Sequence, residues 1–165
     1  MIAGVVILIL LLIVIYGVIS GSKGSKGATA IIDSLGKAQE ISRVTTAQAT
    51  NLKDPNTLAI AATTQAAVGS EQTQLNKFLV SHKVKVDKKK LALYQNKNTD
   101  SQMATALQTN SLDSAYLTYL KGALNDYSQS LKTSYSSTTS ASARAIQQDA
   151  FDSTQTLLSS PTLKQ

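Results

Sequence analysis

An uncharged and almost wholly apolar stretch from Ile2 to Ile19 constrains this chain more than any other feature of its sequence. The hydroxyl of Tyr16 is the only polar side-chain group in it. As a helix, the stretch would be about 27 Å long, close to the roughly 30 Å thickness of a bilayer's hydrocarbon core. We therefore predict a transmembrane anchor over residues 1–20, in which residues 2–19 contact the lipid bilayer as a single-pass helix.

A cleaved secretory signal is the alternative to a retained anchor. Ala28-Thr29-Ala30 fits the small-x-small pattern that a signal peptidase recognises, with cleavage after Ala30. Against cleavage, the apolar run is longer than a usual signal core and no Lys or Arg precedes it. We expect the anchor to be retained.

Two signals disagree about the side of the membrane on which the rest of the chain lies. Lys23 and Lys26 follow the apolar run, and the positive-inside rule then favours a cytoplasmic C-terminal side. The chain has no cysteine and is rich in Ser, Thr, Gln and Asn, as exported bacterial domains often are. We expect a single-pass protein of a bacterial cell membrane with an extracytoplasmic domain. The positive charges of Lys23 and Lys26 favour the opposite orientation, so this alternative stays open.

Residues 21–28 separate the anchor from the rest of the chain. They consist of Gly, Ser, Lys and one Ala, a composition typical of a flexible tether. After the tether, apolar residues recur every three or four positions, which is typical of amphipathic helices, and no strand pattern competes strongly. The sequence therefore predicts one all-α domain over residues 29–160 and a C-terminal tail over residues 161–165.

Capping residues and prolines mark the boundaries of the helices. Asp54 is a good N-cap, and Pro55 suits the first position of the helix that follows it. Ser159-Ser160-Pro161 ends the last helical pattern. Four long helices are predicted on this basis: the first from about Thr29 to Leu52, the second from Pro55 to about His82, the third after Ser111 and through Tyr135, and the fourth after the break at residues 136–140 and up to Ser159-Ser160-Pro161.

Residues 83–110 interrupt the long helices and are predicted to form a crossover between the second and the third. Val84 and Val86 alternate with lysines over too few residues to make a convincing strand. Asp87 and Asp100 are expected to cap two short helices, the latter carrying Met103, Ala104 and Leu107. Four amphipathic helices with two short links and one longer one predict a four-helix bundle in which the third helix can start at either end.

One block of the sequence resembles a known family. Leu112-Asp113-Ser114-Ala115-Tyr116-Leu117 is similar to the FD-x-A-Y start of the third helix in exported bacterial ferritin-like proteins, domain-of-unknown-function family 4142. The stretch from Asp54 to Val86 is similar in layout to that family's second helix and the turn after it. The resemblance implies a ferritin-like bundle and export. That family's histidines, near Ser70-Glu71 and Leu124 to Asp126, are absent here, so the resemblance carries no metal role.

The titratable residues do not form a recognisable catalytic or metal-binding pattern. A di-metal site in a bundle needs several carboxylates and histidines from facing helices, but the chain has only two glutamates, Glu40 and Glu71, and one histidine, His82. Glu71 and His82 share a helical face but lie about 16 Å apart along its axis. Ser34-Leu35-Gly36-Lys37 matches Ser-x-x-Lys without the other motifs of that enzyme class. We predict no enzyme, no cofactor and no metal site.

Five lysines between positions 83 and 90 form the one surface feature that could act on a partner: Lys83, Lys85, Lys88, Lys89 and Lys90. The simplest interpretation is that these lysines are a solvated end of the bundle with no binding role. The functional interpretation is binding to anionic lipid or cell-wall polymer, to which each lysine near an anionic membrane contributes about 1 kcal/mol of binding free energy. Nucleic acid would be attracted by the same charge, but the aromatic residues that stack on bases are missing, which disfavours it.

Tyrosines recur along the third predicted helix, at Tyr116, Tyr119, Tyr127 and Tyr135. They could form a ladder for a ligand or a stripe for a protein partner. Tyrosine commonly buries its ring and leaves its hydroxyl at the wet margin, so we expect these residues to pack in the core.

Anchor, tether and bundle together predict a membrane-anchored, non-enzymatic cell-envelope protein with a structural or partner-binding role. The alternative is a ferritin-like metal-binding or stress-response envelope protein with an atypical site. The scarcity of His and Glu favours the first hypothesis.

Overall fold

The structure of the chain is a computed structural model that describes residues 26–164, and the side chains of residues 27–164. The predicted anchor over residues 1–20 lies outside the described residues, as does most of the predicted tether. Among residues 26–164, no helix combines the length and the apolar character needed to cross a membrane.

Every regular element among the described residues is an α-helix, which confirms the predicted all-α class. In chain order the helices are α1 Lys26–Gln48, α2 Pro55–Ser81, α3 Lys88–Ala92, α4 Lys97–Gln108, α5 Leu112–Ser137, α6 Ala141–Leu158 and α7 Pro161–Lys164. The four long helices pack in a ring, with α1 and α6 each lying against both α2 and α5. Helices α3 and α4 form the crossover and lie against α1 and α5, respectively.

The two ends of the bundle are identified by contacts between chain segments distant in sequence. At the end where α1 begins, which we call the proximal end, Gly27 lies against the backbone of Ser137 at the end of α5. At the opposite, distal end, the Asp113 carboxylate at the start of α5 accepts hydrogen bonds from the backbone N–H groups of Lys53 and Asp54 at 3.1 and 3.0 Å. The third long helix therefore starts at the distal end, and the crossover runs the length of the bundle beside α1.

Helix α2 begins and ends where the sequence predicts. The Asp54 carboxylate accepts a hydrogen bond from the backbone N–H of Thr57 at 2.8 Å, and Pro55 is the first helical residue. His82 is the residue immediately after the last turn. Capping by a short acidic side chain and an N-terminal proline are local signals, so they need no tertiary contact to act.

Helix α1 is shifted towards the N-terminus relative to the predicted bounds of Thr29 and Leu52. It begins at Lys26, so the end of the predicted tether over residues 21–28 is helical. In its first turn Gly27 lies close to α5: a Cβ atom there would be 2.8 Å from the Ser137 carbonyl oxygen, so glycine alone permits this approach. At the other end a turn follows Gln48, and Leu52 folds back into the core.

The crossover confirms one predicted cap and corrects the other. Asp87 caps α3 by accepting a hydrogen bond from the backbone N–H of Lys89 at 2.9 Å. Asn96, rather than the predicted Asp100, caps α4, and Asp100 lies in its first turn, where it pairs with Arg43 at 2.8 Å. The buried residues of α4 are Thr99, Met103 and Ala106, whereas the predicted Ala104 and Leu107 are exposed, because the packing against α5 selects a different face.

Residues 161–164 form α7 instead of the predicted tail. Leu163 is only 2% exposed and belongs to the same apolar cluster as Leu112 and Leu157. Helix α7 lies against α2, α5 and α6, and the burial of Leu163 in this cluster stabilises the short segment on the bundle.

The apolar core has two parts. The larger occupies the middle and the distal end and contains Tyr116 and Tyr127, both fully buried. The smaller lies at the proximal end and consists of Ile31, Leu35, Leu75, Leu79 and Ala143, with Val84, Val86 and Leu91 packed against it. This proximal cluster is what positions the chain that leaves α2.

Candidate functional site

The chain leaves α2 through a tight turn whose geometry is set by backbone hydrogen bonds. The backbone N–H of Lys83 donates to the carbonyl of Val80 at 3.0 Å, and that of Val84 donates to the carbonyl of Leu79 at 2.9 Å. This pair of bonds, with Lys83 in the left-handed region at φ 55°, is a Schellman motif. Its usual apolar contact is present as well, because Val84 packs against the cluster that contains Leu79.

Alternation after this turn separates the apolar and the charged side chains of residues 83–90, which we call the basic segment. Val84 and Val86 face the proximal cluster and are half-buried. The lysines face solvent, and all five are exposed: Lys83, Lys85, Lys88, Lys89 and Lys90. The five predicted residues are therefore all exposed along the basic segment at the proximal end.

Few negative groups offset this positive surface. Asp87, the acidic residue within the basic segment, uses its carboxylate to cap α3. Lys83, Lys85, Lys89 and Lys90 form no ion pair with any residue of the described chain. The local excess of positive charge is therefore available to an anionic partner, and the attraction is screened beyond about 10 Å at 0.1 M salt.

Glu71 is a buried titratable residue whose environment only the structure reveals. It is 5% exposed in the centre of α2, and both of its carboxylate oxygens lack a hydrogen-bond partner among the described residues. Burial raises the pKa of Glu71 to about 7, although the nearby hydroxyls of Tyr127 and Ser153 partly oppose the shift. The pKa of Tyr127 is raised well above its ordinary value, chiefly by burial and further by Glu71.

The burial of Glu71 can be predicted from the spacing of apolar residues in α2. Val68 and Leu75 lie three residues before and four residues after Glu71, and both are fully buried. A carboxylate on an apolar stripe at helical spacing is predicted to face inward. The spacing does not predict whether a basic side chain lies beside Glu71, because that depends on the residues of α5 and α6.

The histidine and the carboxylates of the described residues do not converge. His82 is exposed, its ring lies 4.1 Å from that of Phe78, and its Nδ1 is 2.9 Å from the Phe78 carbonyl oxygen. Within residues 26–164, no group of three or more His, Cys, Asp and Glu side chains is arranged to hold a metal ion.

A polar network joins the crossover to the bundle at the Ser34 to Lys37 segment. The Asp33 carboxylate accepts hydrogen bonds from Tyr94 and Ser130, both at 2.7 Å. Burial alone would raise the pKa of Asp33, but these bonds and the Lys37 ammonium outweigh it and lower the pKa. Ser34 is fully buried and its hydroxyl lies 2.8 Å from that of Ser130, whereas Lys37 pairs with Asp33 at 3.6 Å. These contacts tie three parts of the fold together.

The predicted tyrosine face is partly confirmed. Tyr116 is fully buried and donates to the Thr45 hydroxyl at 3.0 Å, and Tyr127 is fully buried beside Glu71. Tyr119 is half-buried, and its hydroxyl contacts the carbonyl of Glu40 at 3.4 Å. Tyr135 is 40% exposed, with the Arg144 guanidinium 5.3 Å from its ring centre, so the expectation that it packs in the core is wrong.

Comparisons with models of known families, with curated proteins and with solved structures find no match to this chain. The resemblance to the ferritin-like family therefore stays a prediction.

Proposed function

We propose that this chain is a non-enzymatic, membrane-tethered helical bundle of the cell envelope, and that it binds anionic, phosphate-bearing surfaces through its basic segment. The surfaces that share this chemistry are anionic lipid headgroups and phosphate-containing cell-wall polymers. Residues 2–19 hold the chain in the bilayer, and the bundle provides a rigid support for the basic segment.

The observation that supports this proposal is the end of the bundle at which the basic segment lies. The basic segment packs on the proximal cluster, beside the first turns of α1. Seven residue steps separate Ile19 from Lys26, a chain that spans at most about 25 Å when fully extended. If residues 2–19 cross the membrane, the five lysines are therefore held within a few nanometres of it.

Charge supplies the driving force for binding. A lysine near an anionic membrane surface contributes about 1 kcal/mol to the free energy of binding. Binding of the same side chains to a polyanion is favoured by the release of its counterions. Exposure of the lysines means that little desolvation opposes the interaction, and added salt weakens it. Lys23 adds to the same positive region in the sequence.

The test uses the full-length chain reconstituted in neutral phosphatidylcholine nanodiscs. Binding of polyglycerol phosphate, a soluble phosphate polymer, is measured for the wild type and for a variant in which Lys83, Lys85, Lys88, Lys89 and Lys90 are all replaced by Gln. A matched control replaces five exposed lysines outside the segment, Lys53, Lys97, Lys121, Lys132 and Lys164. We expect the first variant alone to lose salt-sensitive binding, and equal binding by both variants contradicts a role for the basic segment.

Tethering and orientation are tested separately in cells of the source organism. We expect the wild-type chain to stay in the membrane fraction after washing at high salt and alkaline pH, because an apolar anchor is insensitive to both. External protease is expected to digest the bundle on intact cells. Release of the chain by the wash contradicts tethering, and full protection from protease contradicts the extracytoplasmic orientation.

A further inference from the structure

We propose that the basic segment and Leu93 form a single docking face for anionic lipid, so that the bundle lies against the bilayer that carries its own N-terminal residues. This inference rests on the proposed function and names the lipid surface, rather than a polymer, as the partner. The face consists of the basic segment, α3 and Leu93, which follows α3 directly.

Leu93 is 83% exposed, the most exposed of the large apolar side chains among the described residues. It follows α3 directly, and Lys89 and Lys90 lie four and three residues before it. Residues at this spacing occupy the same side of a helix, so an apolar side chain stands next to two ammonium groups. This pairing of charge with an exposed apolar group is what an interfacial helix presents to a membrane.

The outward direction of Leu93 is imposed by its neighbours. Leu91 packs on the proximal cluster. Tyr94 is held by its hydrogen bond to Asp33 and by contact with Gly36, where a Cβ atom would lie 2.3 Å from the tyrosine ring. With Leu91 packed on the proximal cluster and Tyr94 bonded to α1, the chain between them leaves Leu93 on the solvent side.

The position of Leu93 along the bundle is compatible with contact with the membrane. Its neighbour Tyr94 bonds Asp33, which is seven residues, or about 10 Å, from the start of α1. The polar interfacial layer of a bilayer is about 5–8 Å thick on each side. A tilted bundle on a chain of at most about 25 Å can therefore place the basic segment among the headgroups and Leu93 at the same depth.

The apolar residue is what favours lipid over a soluble polymer. Lysines alone account for attraction to any polyanion, whereas an exposed leucine gains nothing from a hydrated phosphate chain. A bilayer interface offers anionic headgroups and an apolar layer directly beneath them, which fits both kinds of side chain on the docking face.

The experiment exploits the absence of cysteine, which allows one labelled position in the full-length chain. Leu93→Cys carries a polarity-sensitive fluorophore, and the chain is reconstituted in vesicles of phosphatidylcholine alone or mixed equally with phosphatidylglycerol. Leu107→Cys is the matched control, since Leu107 is 45% exposed but lies near the end of α4, close to the distal start of α5. Brominated lipids in the same vesicles quench any label that reaches the interface.

We expect the label at position 93 to shift to the blue and to be quenched in the anionic vesicles but not in the neutral ones. The label at position 107 should respond to neither, and replacing the five lysines of the basic segment by Gln should abolish the response at position 93. A label at position 93 that stays in water on anionic vesicles overturns the docking face. If such a chain still binds polyglycerol phosphate through its lysines, the polymer is the partner and the proposed function stands.

Failure of the proposed function gives a different result. A chain that floats free of the vesicles has no anchor, and that outcome contradicts tethering. A chain that remains vesicle-bound while the label responds equally in neutral and anionic lipid shows apolar contact without charge recognition, and this result overturns the docking face as an anionic-lipid site.

Discussion

At the scale of single residues, Glu71 is the clearest departure from an ordinary bundle core. Both carboxylate oxygens are buried without a hydrogen-bond partner among the described residues, and no basic side chain accounts for their charge. A buried carboxylate in such surroundings is most stable when it carries a proton, because ionisation places a charge in a medium of low polarity. Its protonation is therefore coupled to the stability of the fold.

We predict that the bundle is more stable in mild acid than at alkaline pH on account of Glu71. The pKa of Glu71 is about 7 in the folded chain against an ordinary 4.5, so the folded state binds the proton more tightly. The resulting stabilisation, about 3 kcal/mol, is fully present below pH 4.5 and is lost as the pH rises through 7. Urea unfolding of the full-length chain in detergent micelles from pH 4.5 to 8.5 measures it.

Glu71→Gln is the matched variant for this prediction. The amide keeps the shape of the protonated acid but does not ionise, so the variant should be more stable than the wild type at pH 8. The difference between the two proteins should shrink as the pH falls towards 4.5. Parallel pH profiles for the two proteins would show that Glu71 titrates normally, contrary to its burial.

Tyr127 contributes mainly through its ring. The side chain is fully buried, and its hydroxyl lacks a hydrogen-bond partner among the described residues. We predict that Tyr127→Ala lowers the free energy of unfolding by about 3–5 kcal/mol, as for other large core truncations. Tyr127→Phe should change it by less than about 1 kcal/mol, because the hydroxyl lies near Glu71 without a hydrogen bond of standard geometry. Equal destabilisation by the two variants, measured by urea unfolding, would assign the contribution to the hydroxyl.

At the scale of the elements, the attachment of the crossover to α1 is the informative feature. Three contacts hold it there: Tyr94 to Asp33, the Asn96 backbone to Glu40 at 3.0 Å, and Asp100 to Arg43 at 2.8 Å. Arg43 also donates to both carboxylate oxygens of Glu40, at 2.7 and 2.9 Å. These polar contacts run down one side of α1 and hold the segment between α2 and α5 against the bundle.

Gly36→Ala is predicted to loosen this attachment. A Cβ atom at position 36 would lie 2.3 Å from the ring of Tyr94, which would have to move and lengthen its bond to Asp33. We expect destabilisation by about 1–3 kcal/mol, as in other overpacked cores. The control is Gly122→Ala, since nothing lies within 4 Å of a Cβ at position 122 of α5.

The control should act in the opposite direction. Alanine in a helix interior is favoured over glycine by about 0.5–1 kcal/mol, so Gly122→Ala is expected to stabilise the bundle. Thermal unfolding of the two variants beside the wild type compares both effects in one measurement. A melting temperature for Gly36→Ala at or above the wild-type value would mean that Tyr94 is not held against α1.

At the scale of the whole molecule, the proximal end combines chain entry, a small apolar cluster and the basic segment. The lysines lie outside the core, so the proposed binding and the folding depend on different residues. We predict that replacing the five lysines of the basic segment by Gln changes the free energy of unfolding by less than about 0.5 kcal/mol while removing binding to anionic vesicles and polymers. Thermal unfolding beside a binding measurement on the same preparation separates the two.

The control for this prediction is the variant in which five lysines outside the basic segment are replaced. The variant with five lysines replaced outside the basic segment should keep both its stability and its binding. A large loss of stability in the first variant would mean that the lysines support the Schellman turn or α3, and the loss of binding would then reflect damage to the surface.

The helices and several of their ends follow from local signals in the sequence. Asp54, Pro55, Asp87 and Ser140 act through their own backbone and the next few residues, so their effect is legible in the chain. The inward stripe of α5 is predictable down to Leu131 for the same reason, because helical periodicity depends only on spacing along the chain. The cluster of five lysines is likewise visible in the order of the sequence.

Which residues lie opposite each helix depends on tertiary packing. The direction of the crossover depends on which helix lies opposite, and such a pairing is a contact between residues distant in the chain. The same is true of the burial of Leu163, the exposure of Leu93 and the lack of a hydrogen-bond partner for Glu71 among the described residues. The same holds for the position of the basic segment beside the start of α1. Local propensity carries no record of such pairings, since packing selects them by burying apolar surface from several helices at once.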